Sequence, residues 1–113
     1  MKTLKLHNKI IKEVVKEKSK DPKVIGILLF GSLAKGTANK NSDVDIEIVY
    51  LGNRYKLTKE KRYGIKVDLE FWPKDKLIKR IKNMPYSAYP YLNEKILYDK
   101  NRFLFKIKKK VKK

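Results

Sequence analysis

Three carboxylates lie close together in a stretch that opens on a glycine and a serine. In GSLAKGTANKNSDVDIEIVY, residues 31–50, Asp43, Asp45 and Glu47 alternate with Val44, Ile46 and Ile48. Apolar and polar residues alternating at period two mark a β-strand. On a strand the i and i+2 side chains project from one face, about 7 Å apart along the chain. Two ionised carboxylates so placed repel each other unless a cation stands between them. Mg²⁺ takes hard oxygen ligands, usually one or two carboxylates completed by water and substrate phosphates. Asp43-x-Asp45 therefore suits a metal–triphosphate platform. A solvated strand face is the other reading, and for such a pair taken alone it is the commoner one. Gly31-Ser32 adds to the first reading. It ends an apolar run and turns into a helix start, where free backbone N–H groups and the serine hydroxyl can hold a phosphate.

These groups need elements to carry them. Leu6, Ile10, Ile11, Val14 and Val15 follow helical spacing among lysines and glutamates, and Asp21-Pro22 stops that first helix. Residues 24–30 are almost continuously apolar, as in a strand covered on both faces. Residues 33–42 are small and polar, with a second glycine at Gly36, and predict a short helical turn followed by a loop. Residues 43–50 form the next strand, and Leu51-Gly52-Asn53 a turn. Residues 55–58 and 63–72 predict two more strands, joined through a charged turn at Lys59-Glu60-Lys61. In the second of these, Val67, Leu69 and Phe71 share one face, and Lys66, Asp68 and Glu70 the other. Pro73 suits the first turn of a helix with Leu77, Ile78 and Ile81 on its apolar side, ended by Met84-Pro85. Residues 86–95 are tyrosine-rich and partly helical by expectation. Residues 95–98 predict a short edge strand. A basic last helix follows, with Leu104, Ile107 and Val111 inward. The order predicts an α/β fold of the α+β kind: a mixed β-sheet of about four to five strands with helices packed against it.

Composition bounds the rest. The 113 residues suffice for one domain, 1–113, and at 42% hydrophobic they can build a core. With no cysteine, disulfides and thiolate metal sites are excluded. The longest apolar run, 24–30, falls far short of the roughly 18 residues a membrane span needs. MKTLKLHNK has no signal-peptide hydrophobic region, so a cytoplasmic protein is expected. Thirty Lys and Arg against twelve Asp and Glu leave a charge of +18, a field that favours nucleic acid, nucleotides or an acidic partner. A lysine-, isoleucine- and tyrosine-rich composition accounts for that charge equally well. The terminal KIKKKVKK is read as the solvated face of a helix in preference to a nucleic-acid-binding tail.

Gly31-Ser32, ten further residues, then Asp43-x-Asp45 before an apolar strand resembles the minimal nucleotidyltransferases of the DNA polymerase β superfamily. That family carries a third carboxylate on a later strand, flanked by apolar residues, and VDL at 67–69 supplies Asp68. Glu70 shares its face and is the substitute candidate. The resemblance covers residues 24–72. Relatives often carry arginines after the Gly-Ser, where this chain has Leu33 and Lys35; Lys35 is expected to meet phosphate as a point charge. The resemblance implies a nucleotidyltransferase fold with Asp43, Asp45 and Asp68 as catalytic and metal-holding residues for two Mg²⁺ ions. Gly31, Ser32 and Lys35 are the implied nucleotide-binding residues. The implied reaction is transfer of a nucleotide, AMP from ATP by preference, to a hydroxyl. Such minimal proteins are similar to antitoxins of toxin–antitoxin modules, whose partner is a helical HEPN-type ribonuclease modified on a tyrosine. Transfer to RNA or a small molecule, and a non-catalytic nucleic-acid-binding module, are the alternatives. Glu47 is expected on the exposed rim of its strand and His7, the one histidine, on the surface of the first helix. Trp72, Tyr86, Tyr89 and Tyr91 could stack on a base, but core or partner contacts are the stronger expectation for them.

Overall fold

A computed structural model describes residues 4–83 and 95–106. Helix α1 (Lys5–Lys18) sets His7, Ile10 and Val14 inward, at spacings of three and four. The buried stripe is rotated from the expected one. Leu6 is 46% exposed, and His7, expected on the surface, is 1% exposed and holds the place next to it.

Strand β1 (Val24–Phe30) is followed by the short helix α2 (Gly31–Lys35) and strand β2 (Val44–Tyr50). Strand β3 (Lys56–Arg62) and strand β4 (Ile65–Pro73) form a hairpin. Its turn is Tyr63-Gly64, both with positive φ (53° and 79°), the backbone twist that suits a two-residue hairpin connection. The charged residues 59–61, expected as the turn, lie inside β3. They are tolerated because β3 is an edge strand, where charge also discourages pairing with a foreign strand. Pro73 is the buried last residue of β4, and helix α3 (Lys74–Asn83) starts one residue later than expected. Strand β5 (Lys95–Asp99) pairs with β1 at the opposite edge, as expected. Beyond a 3₁₀ turn at Lys100–Arg102, the Asp99 carboxylate accepts the backbone N–H groups of Leu104 (2.7 Å) and Phe105 (3.0 Å), which caps a helical start at 103–106. Leu104 is buried as expected; the expected roles of residues 86–94, Ile107 and Val111 lie outside the described residues.

The sheet order is β3-β4-β2-β1-β5, with β2 and β4 parallel and the other neighbours antiparallel. The mixed sheet of five strands with helices is the fold class that the element order predicts. On one face α1 and the Leu33-Ala34 pair of α2 pack on Ile27, Leu29, Val44, Ile46, Ile48, Val67 and Leu69. On the other, Leu77 of α3 and Leu104 pack on Ile25, Leu28 and Val49. Arg62 ties the hairpin to α1. Its guanidinium donates to both carboxylate oxygens of Glu17 (2.8 and 3.0 Å) and to Glu60 (2.8 Å). No helix of the described residues is long and apolar enough to cross a membrane.

Candidate functional site

The apolar positions of β2 at 44, 46 and 48 belong to the α1 side, so Asp45 and Glu47 point to the α3 side. By the same alternation Asp68 and Glu70 of β4 point there too. The parallel register then sets Asp45 directly beside Asp68, and Glu47 beside Glu70. Two carboxylate pairs thus lie in successive steps on one face. Asp43 is the last residue before β2 and is exposed.

Burial and crowding act together on Asp45. Its carboxyl is held above the usual carboxylate range, first by burial and then by the negative charges of Asp68, Asp43 and Glu70. All four acids therefore act on one centre. Gly31 lies against it. A Cβ at residue 31 would come within 2.8 Å of the Asp45 Oδ2, and the backbone there has φ +72°, a left-handed conformation that glycine adopts without strain. The glycine of Gly31-Ser32 is required on both counts, and it brings the start of α2 onto the carboxylates. Phe30 is the N-cap of that helix and gives it no side-chain cap. Ser32 is half-buried in the same turn, next to Gly31. Lys35 is exposed at the far end of α2.

Glu70 is already engaged. Its Oε2 accepts the Tyr55 hydroxyl at 2.8 Å and the Trp72 indole N–H at 3.2 Å. Tyr55 meets the Trp72 ring edge-on, and the Arg80 guanidinium of α3 lies 4.8 Å over that ring. Of the two candidates on β4, Asp68 is the one left facing Asp45. Trp72 is half-buried in this cluster, consistent with the packing role expected of it. Glu47 corrects the expectation of an exposed rim residue: it is only 6% exposed, because β2 is an inner strand between β4 and β1 and the Leu77–Leu104 cluster packs on that face. Its parity with Asp45 was visible in the sequence; its burial depends on β2 being an inner strand.

The donor chemistry fits a divalent cation of the Mg²⁺ type: all-oxygen, anionic, and mutually repelling until neutralised. Among the described residues no three acidic or histidine side chains converge closely enough to enclose an ion by themselves.

Comparisons with known proteins bear on the fold and the family. A solved nucleotidyltransferase-like protein from Exiguobacterium sibiricum 255-15 has the same fold, with a TM-score of 0.70 at 13% identity over 89% of this chain. This chain spans 37% of that protein's length. No curated protein sequence matches. The family model described as "Nucleotidyltransferase domain" matches residues 8–112, from within α1 to beyond β5, and the chain belongs to that family.

Proposed function

We propose that this chain transfers a nucleoside monophosphate from a nucleoside triphosphate to a hydroxyl, with Asp43, Asp45 and Asp68 as its metal-holding and catalytic residues. The observation that carries the reading is Asp45, held beside Asp68 on one side and against Gly31 on the other. Two Mg²⁺ ions, when bound, would neutralise the triphosphate and stabilise the attacking and leaving oxygens of an in-line displacement. The chain's own residues do the rest. Asp43 and Asp45 hold the metal-bearing triphosphate in register with the sheet end. The N–H groups of Gly31 and Ser32 and the Ser32 hydroxyl receive its outer phosphates, and Lys35 adds positive charge at the rim. Asp68 takes the proton of the acceptor hydroxyl in this reading. The acceptor oxygen forms a bond to the α-phosphorus, the bond from that phosphorus to the bridging oxygen breaks, and pyrophosphate leaves.

ATP is the proposed donor. The proposed acceptor is a tyrosine on a HEPN-type helical partner, so that the chain acts as the antitoxin of a toxin–antitoxin pair. Support for that finer reading is the resemblance of the 31–45 motif to minimal nucleotidyltransferases of such modules. Incubation with each α-labelled NTP and Mg²⁺, with and without a co-expressed HEPN-type partner, tests both levels. Label on a partner tyrosine from ATP alone is the expected result. Label on RNA would replace the acceptor, and no label from any NTP with any acceptor would refute nucleotidyl transfer.

A further inference from the structure

Asp45 and Asp68 are held by strand pairing on both sides, β1 and β4 about Asp45, β2 and β3 about Asp68. Asp43 has no such support. It ends the loop that runs from the Gly36 cap of α2 to the start of β2. Most of the bonds in that loop are internal. Thr37 N–H donates to the Ser32 carbonyl (3.0 Å), Ser42 N–H to the Asn39 carbonyl (3.0 Å), Asn39 N–H to the Ser42 hydroxyl (3.0 Å) and Asn41 N–H to the Asn39 side-chain oxygen (2.8 Å). They make the turn rigid in itself but do not fix it to the sheet.

Two side chains tie it to the rest of the fold. Ala38 packs against the core beneath α1. Nearer Asp43, His7 of α1 brings its Nε2 to 2.8 Å from the Ser42 carbonyl, across 35 residues of sequence. A carbonyl only accepts, so Nε2 carries the proton and Nδ1 the lone pair. The ring is 1% exposed, and among the described residues Nδ1 has no hydrogen-bond partner. Burying an unpaired polar nitrogen is unfavourable, and an apolar residue at this position would avoid it while continuing the Ile10-Val14 face of α1. A histidine here makes sense for what its other nitrogen does. Ser42 is the residue before Asp43.

We infer that His7 is a positioning residue: its Nε2–H clamps the Ser42 carbonyl and so sets the backbone from which Asp43 reaches a divalent cation shared with Asp45 and Asp68. The inference rests on the proposed function for its cation, and on the structure alone for the clamp. The two halves separate by experiment. His7→Leu removes the clamp and fills the space. His7→Gln keeps an N–H donor at a similar reach.

The clamp is read in metal-free protein by hydrogen exchange across residues 39–44. The cation is read by Mn²⁺ titration, followed by electron paramagnetic resonance and by quenching of the single tryptophan, Trp72, which lies on the carboxylate face. In His7→Leu, exchange at 39–44 should quicken at least tenfold while the helix α1 amides keep their protection. Its Mn²⁺ affinity should fall about tenfold, the usual size of an outer-partner effect. His7→Gln should recover most of both. Unchanged exchange in His7→Leu overturns the clamp, as does a failure of His7→Gln to restore it. Unchanged Mn²⁺ affinity in a variant with faster exchange overturns the positioning of Asp43. If the unsubstituted protein binds no Mn²⁺ at all, the metal-dependent function falls and the cation half with it, and exchange still decides the clamp.

Discussion

Replacing Asp45 by asparagine should make the metal-free protein more stable and abolish its response to Mg²⁺. Asp45 accepts no hydrogen bond from the described residues, so the change removes charge and little else. Its neighbour across the parallel register is Asp68, and adjacent strands are about 4.8 Å apart. Two unit charges at that distance repel by about 0.9 kcal/mol in water and about 3.5 kcal/mol at the effective dielectric of a protein surface. Asp45 is half-buried at an open sheet end, so solvent screening argues for the lower part of that range, about 1 kcal/mol. For a domain of this size that amounts to a rise of about 4 °C in melting temperature.

The pH dependence follows from the direction of the shift. The Asp45 carboxyl is held above its ordinary value of 3.8, so the folded protein binds that proton more tightly than the unfolded chain does. Folding therefore loses stability as pH rises from the unfolded value through the raised folded one. Asp45→Asn should gain its advantage over that window, keep it at neutral pH, and lose it below about pH 3.8, where the aspartate is itself neutral. Mg²⁺ should reverse the ranking. A cation at tenfold its dissociation constant stabilises the unsubstituted protein by about 1.4 kcal/mol, and the variant gains far less. Thermal melts at pH 3, 5 and 7, each with chelator and with Mg²⁺, give the full comparison. A variant less stable than the parent in chelator at pH 7 would refute the repulsion. Equal Mg²⁺ responses would take Asp45 out of the cation site.

Three other substitutions probe separate parts of the argument. Gly31→Ala forces a side chain into a left-handed backbone and to 2.8 Å from the Asp45 carboxylate; it should lower stability by about 1–2 kcal/mol from the backbone alone and stop nucleotidyl transfer, as read by a melt and a label assay. Asp43→Asn should reduce transfer at least a hundredfold while changing metal-free stability by less than about 0.5 kcal/mol, because Asp43 is exposed; retained activity would remove it from the site. Arg62→Ala breaks the link between the hairpin and α1 and should destabilise by about 1 kcal/mol at neutral pH, as expected of a partly exposed bidentate pair. The hydrogen bond from Arg62 holds the Glu17 carboxyl below its ordinary 4.5, so this stabilisation is present above that value and lost as pH falls through the lowered one; denaturant melts at pH 7 and pH 3 should show the gap between parent and variant closing.

Much of this architecture was legible from hydrophobic spacing. The inner strands β1 and β2, the alternating β4, the edge strand β5 and the helices α1 and α3 all carry periodicities strong enough to place them. The hairpin turn was misplaced for a local reason. Lys59-Glu60-Lys61 looks like a turn because charges usually leave a sheet, but an edge strand can keep them, and the real turn needed only a Gly64 and a Tyr63 able to take positive φ. The candidate site was legible as a set of residue types and spacings. The close approach of Gly31 to Asp45 was not, because it joins two elements whose separation depends on how β1 pairs with β2.

Glu47 and His7 show where sequence parity stops being informative. Alternation assigns a residue to a face, and helical spacing assigns it to a side, but neither says whether that face is covered. A polar residue on the second face of β2 reads as solvated only if nothing packs there. Topology decides otherwise, since β2 lies between β4 and β1 and α3 closes over that side. Glu47 is buried for that reason, beside Glu70 and one step behind the Asp45–Asp68 pair. His7 is the same case on the other face. A lysine-rich helix with one histidine gives no cue to bury the histidine and expose Leu6. The cue is the loop before Asp43, whose Ser42 carbonyl needs a donor that a leucine cannot supply. Buried polar residues of this kind are set by the bond they make to a distant backbone group, and so become readable only once the chain's long-range register is known.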